Sequence, residues 1–165
     1  MKTLYLVRHA KSSWDFPGLA DFDRPLNGRG KRNAPEMGAR LRSRSVKPDL
    51  LISSPAKRAY GTAKRIAEEI AYSKDKIQTN KLIYHGSEAN LLEVIRSQNN
   101  NINSVMLFGH NPGFTDLANV LSDDWFDNIP TCGIVAIQFE IENWKEVQPK
   151  KGKVIFYDYP KKPFL

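Results

Sequence analysis

The chain has one cysteine among its 165 residues, so no internal disulfide can brace it. Cys132 opens the apolar run Cys132-Gly133-Ile134-Val135 and reads as a small buried hydrophobe rather than a nucleophile. Runs of ~18 apolar residues, enough to span a bilayer, are missing, and the N-terminal stretch Met1-Lys2-Thr3-Leu4-Tyr5-Leu6-Val7 meets Arg8 too early for a signal peptide. A cytoplasmic protein with no membrane partner is expected. Repeats and low-complexity tracts are also lacking. Residues 97–103 form a polar loop, and Lys161-Lys162-Pro163 a loose tail. Negative charge is in deficit, with 18 Asp and Glu against 25 Lys and Arg, a net +7. That balance suits phosphate esters, phosphoproteins or nucleic acid without choosing among them. With 41% hydrophobic residues at this length, one domain over residues 1–165 with a single substantial core is expected.

Short apolar runs bounded by turn residues predict buried strands at residues 2–7, 49–53 and 104–108, central and parallel. Helical spacing predicts a helix over 27–43 with Ala34, Met37 and Leu41 on one face, its start blurred by Pro35, and another over 55–70 with Ala59, Ala63, Ile66 and Ile70. A weaker strand over 77–83 precedes a helix at 87–97 carrying Leu91, Leu92 and Ile95, and a further helix follows at 112–121. This alternation predicts an α/β fold of three layers, with a mostly parallel central sheet and helices on both faces. Residues 133–140 and 153–159 are strand-like with no helix between them, so a C-terminal antiparallel hairpin is expected at the sheet edge.

Ligands of such sheets bind beyond the carboxyl ends of the strands. The first predicted strand ends in Arg8-His9-Ala10. The second ends in Ser53-Ser54-Pro55 and leads to Lys57-Arg58 in a first helical turn, and the third ends in Gly109-His110-Asn111-Pro112. Taken singly, a histidine after a strand is usually a hydrogen-bonded or surface residue and a first-turn arginine is usually solvated. Their coincidence at three strand ends favours one shared site. An arginine in a first turn also opposes its own helix dipole, a conflict that a nearby anion relieves. Guanidinium groups and free helix N–H groups bind phosphate oxygens. A neutral imidazole can attack phosphorus and form a phosphohistidine that water hydrolyses. His9 is the candidate nucleophile, with Arg8, Arg58 and His110 steadying the transferring group, and this inventory needs neither metal nor cofactor.

The chain resembles the histidine phosphatase (phosphoglycerate mutase-like) superfamily and, within it, the short SixA-like phosphohistidine phosphatases. The likeness covers about residues 2–121. It is carried by Leu6-Val7-Arg8-His9-Ala10, by Asp23-Arg24-Pro25-Leu26 with Gly30, by Ser53-Ser54-Pro55 with Arg58 and Thr62, and by Gly109-His110-Asn111-Pro112. The resemblance implies His9 as phosphate acceptor, Arg8, Arg58 and His110 as the rest of the phosphate pocket, and Arg24 as a further ligand. Asn111 and His85 are taken as substrate-binding residues. Mutase-like members usually have glycine where this chain has Ala10, a change common in the SixA-like branch.

Larger members supply a carboxylic acid after the next strand, where this chain reads Leu82-Ile83-Tyr84-His85-Gly86-Ser87-Glu88. Ser87-Glu88 fits helix capping as well as acid chemistry, and His85 suits a pocket rim. An imidazole leaves phosphorus more readily than an alkoxide, so a missing acid points to protein phosphohistidine as substrate. Small phosphate esters are the alternative, as is a non-catalytic module that only binds phosphoproteins. A zinc site of His9, His85 and His110 is opposed by the spacing and by Arg8 and Arg58. Nucleic-acid binding through Lys31-Arg32, Arg40, Arg42 and Arg44 lacks a recognition motif.

Overall fold

The computed structural model describes residues 1–164. Its sheet has six strands in the order β3-β2-β4-β1-β5-β6: β1 (Lys2–Arg8), β2 (Leu50–Ser53), β3 (Gln78–Thr79), β4 (Ser104–Gly109), β5 (Ile134–Phe139) and β6 (Lys153–Asp158). The four strands β3, β2, β4 and β1 run parallel, while β5 pairs antiparallel with both β1 and β6. The expected edge hairpin is therefore present, with β5 against β1 and β6 outermost.

Four helices flank the sheet: α1 (Gly28–Ser43), α2 (Lys57–Glu69), α3 (Glu88–Arg96) and α4 (Gly113–Leu121). Strand periodicity decides which residues meet which layer, because successive side chains point to opposite faces. Leu4 and Leu6 of β1 pack into a core with Leu91, Val94, Phe114 and Leu117 of α3 and α4. Tyr5 and Val7 pack into the other, with Ala34, Met37, Ala63 and Ile66 of α1 and α2. Both faces of the central strands are buried, so these strands read as continuous apolar runs rather than alternating ones.

Two of the four helices, α1 and α3, begin at a side-chain cap. Asn27 accepts the N–H of Gly30 and starts α1, and Pro35 lies inside that helix without ending it. Ser87 and Asn90 form a reciprocal capping box at α3.

One expectation is corrected. The strand predicted over 77–83 shrinks to two ladder residues, Gln78 and Thr79, paired with Ile52 and Ser53. The side chain of Asn80 then accepts the Leu82 N–H and winds Lys81–Ile83 into a 3-10 turn. The competing local hydrogen bond ends the ladder, and the turn carries Tyr84 and His85 toward the ends of β1 and β4.

Candidate active site

The ends of β1, β4 and the first turn of α2 meet as the register requires, since Arg8 lies beside Gly109 across the parallel β1–β4 pair. The His9 N–H donates to the Gly109 carbonyl at 3.0 Å. The Ala10 N–H donates to Thr62 Oγ1, and the Thr62 hydroxyl donates to the Arg58 carbonyl, tying the end of β1 to α2. Gly109 is needed here because an added Cβ would lie 2.6 Å from Phe114 Cζ and 2.8 Å from Ile83 Cγ2.

The His9 ring is 8% exposed, and its Nδ1 lies 2.7 Å from the Ala10 carbonyl oxygen. A carbonyl only accepts, so Nδ1 carries the proton and Nε2 the lone pair. Burial pushes the pKa of this ring down to about 3, with Arg58, Arg8 and Arg24 adding to the shift against the pull of the Ala10 carbonyl. The ring is neutral at physiological pH. His110 packs 5.3 Å away, centroid to centroid. Burial, followed by the repulsion of His9 and Arg58, pushes its pKa down to about 2. Its Nε2 is 2.8 Å from Ser54 Oγ, which also accepts the Ala56 N–H. The Ser54 proton is thus free to donate to Nε2, leaving the proton of His110 on Nδ1, a buried atom without a protein partner. An N–H in that condition suits an anion's oxygen.

Three arginines line the same cavity of about 240 Å³, together with Lys11, Ser12, Trp14, His85, Asn111 and Thr131. Arg8 donates through Nη1 to the Ile129 carbonyl, and its buried Nε has no partner. Burial and the nearby Arg58 lower its pKa. Arg24 donates to the Ser13 carbonyl, Ser12 Oγ and Asp21 Oδ1, with its guanidinium 3.3 Å above the Trp14 ring. Arg58 is 3% exposed and donates to the Asp21 carbonyl and to Asp21 Oδ2.

Family comparison places this arrangement. The model of the histidine phosphatase superfamily (branch 1) matches residues 4–82. The putative phosphohistidine phosphatase SixA from Agrobacterium tumefaciens is 28% identical, with a TM-score of 0.80 over 96% of this chain and 98% of that one. The chain belongs to the histidine phosphatase superfamily. Its fold is that of the SixA-like members: the protein histidine phosphatase SixA complexed with tungstate superposes with a TM-score of 0.81 at 18% identity, covering 96% of this chain and 97% of that one. An uncharacterized chloroplastic protein of Arabidopsis thaliana is 31% identical over 159 residues, 92% of this chain and 72% of its own length.

In this histidine phosphatase fold, all seven residues singled out from the sequence, His9, Arg8, Arg58, His110, Arg24, Asn111 and His85, line one cavity. They are differently free to bind. Asn111 gives both side-chain N–H groups to Asn128 and Ile129 and accepts from Thr115 twice, so it holds the 128–129 segment that receives Arg8 and has no side-chain donor left for a ligand. His85 is half exposed, with Nε2 3.0 Å from Asp21 Oδ2. Glu88 faces a neighbouring cleft with Ser87, Asp116 and Trp125.

The residue that sequence reasoning missed is Asp21. Its carboxylate accepts from Arg24, Arg58, Tyr84 and His85. Burial works to raise its pKa, but the hydrogen bonds from Tyr84 and His85 and the charge of Arg58 hold it well below the usual carboxylate range. Its position three residues before Arg24 was the available signal. Ser54 and Tyr84 were likewise in plain view within quoted motifs. No group of three His, Cys, Asp or Glu side chains among the described residues is arranged to hold a metal ion.

Proposed function

We propose that this protein is a phosphatase that passes the phosphoryl group of its substrate to Nε2 of His9 and then to water, without a metal, and that its substrate is protein phosphohistidine. The observation that carries the reading is the His9–Ala10 hydrogen bond, which fixes the tautomer and leaves Nε2 unprotonated inside a cluster of guanidinium groups. Arg8, Arg24 and Arg58 offer charge-assisted donors to the equatorial oxygens, and His110 adds a neutral one.

Phosphohistidine is supported by two features. The carboxylates nearest the cavity are poor proton donors, Asp21 because it is ionised and Glu88 because it faces elsewhere. An imidazole leaving group tolerates that. The rim carries the exposed aromatic residue Trp14, 73% exposed, a surface that fits a residue presented by another protein rather than a free metabolite.

The test is chemical. Rapid denaturation during turnover should trap an acid-labile phosphate on His9, located by mass spectrometry, and His9→Ala should lose turnover while keeping the wild-type circular dichroism spectrum. A panel of phosphohistidine protein, phosphotyrosine, sugar phosphates and phosphoglycerate should rank phosphohistidine first. Unchanged turnover by His9→Ala removes this mechanism.

A further inference from the structure

Hydrolysis of a P–O ester asks for something that the nucleophile and arginines do not supply, a proton for the departing oxygen. Four imidazole, carboxyl or phenol groups besides His9 meet at this pocket. Asp21 is ionised and serves as an acceptor. Tyr84 has its pKa raised by burial and by Asp21, to which its hydroxyl already donates. His110 is a neutral imidazole and hidden. His85 differs from all three: it lines the cavity, its ring is half exposed, and a carboxylate backs one nitrogen.

The surroundings fix this ring in place. Its centroid lies 4.2 Å from that of Tyr84 and 5.1 Å from that of His110. Its backbone is left-handed, with φ 52°, a conformation that is costly for a residue with a side chain and is retained when the surrounding structure enforces it. Asp21 accepts from Nε2, so when the ring carries two protons the second N–H is on Nδ1. The charged groups around it are Asp21 and, through Asp21, Arg58 of α2, with Tyr84 and His110 on its ring faces and Glu88 and Asp116 along the cleft on its other side.

We propose that His85, oriented by Asp21, is the proton donor to the leaving group, so that the pocket hydrolyses P–O esters as well as phosphohistidine; this rests on the His9 mechanism above. As the bond from His9 Nε2 to phosphorus forms and the P–O bond breaks, the His85 imidazolium gives its proton to the departing oxygen and becomes neutral. In the second step it takes a proton from the water that attacks the phosphorus on His9, which restores both rings. Nothing is oxidised or reduced.

The experiment is a leaving-group series of nitrophenyl phosphate, phenyl phosphate and an aliphatic phosphate with wild type and His85→Asn. A proton donor matters more as the departing oxygen becomes more basic. The variant should therefore lose only a few-fold on nitrophenyl phosphate and ~100-fold or more on the phenyl and aliphatic esters. The fall of wild-type kcat at alkaline pH on phenyl phosphate should disappear in the variant. Equal losses along the whole series, whether large or absent, would overturn the proposal and leave His85 a binding or rim residue. A failure of the His9 reading looks different, since His9→Ala would then turn over every member of the series.

Discussion

At the scale of single residues, the pocket works by fixing where protons are. The Ala10 carbonyl holds the Nδ1 proton of His9, and Ser54 can direct the proton of His110 to Nδ1. Arg58 illustrates how geometry matters beyond charge. Its two terminal nitrogens reach the Asp21 backbone oxygen at 2.8 Å and carboxylate at 3.1 Å, a fork that a lysine's single ammonium cannot reproduce. Arg58→Lys keeps the charge yet should lower kcat/KM about 10²-fold, the cost of one misplaced donor to transition-state oxygens. Steady-state kinetics on nitrophenyl phosphate check this, and wild-type activity in the variant would show that Arg58 acts by charge alone.

At the scale of elements, the sheet and its strand ends were legible because both depend on local pattern. The runs that became β1, β2 and β4 are apolar on both faces, and the residues following them, His9, Arg58 and His110, must gather at one sheet edge once those strands run parallel. Asp21 was not legible. It sits in the irregular stretch between β1 and α1, where neither strand nor helix period operates, and its role exists only after Arg24, Arg58, Tyr84 and His85 close on it. The strand predicted at 77–83 failed for the converse reason, because one side chain, Asn80, outcompeted the ladder. The basic face of α1 was also ambiguous in sequence. Arg40 and Arg44 turn out to clasp Asp158 of β6 at 2.8 and 3.5 Å, and Arg42 pairs with Glu69 of α2 at 2.6 Å. The first cluster is buried at Asp158, which is 2% exposed, and the second is open to solvent. Asp158→Ala removes the buried counter-charge of Arg40, which keeps only the Tyr159 and Pro160 carbonyls as acceptors, and should cost about 2 kcal/mol, whereas Glu69→Ala should cost less than about 1 kcal/mol. Urea unfolding of both variants measures the contrast, and comparable losses would mean that the β6–α1 clasp is no stronger than a surface pair.

At the scale of the whole molecule, the site is maintained at the expense of acid stability. His9 and His110 are held neutral by burial, with folded pKa values of about 3 and about 2 against 6.5 when exposed. The sign follows from proton counting. Between these values the unfolded chain binds protons that the folded one refuses, so unfolding is favoured as pH falls. The contribution is complete above about pH 6.5 and is lost progressively below it, with a slope of up to about 1.4 kcal/mol per pH unit for each histidine. Urea midpoints measured from pH 7 to pH 5.5, above the range where ordinary carboxylates titrate, should fall steadily. His9→Gln with His110→Gln should flatten that fall even if the double variant is less stable at pH 7. An unchanged slope would mean that both rings take up protons in the folded state, and a protonated His9 has no lone pair to offer phosphorus. The stability measurement thus reads the same quantity on which the nucleophile depends, without requiring a substrate.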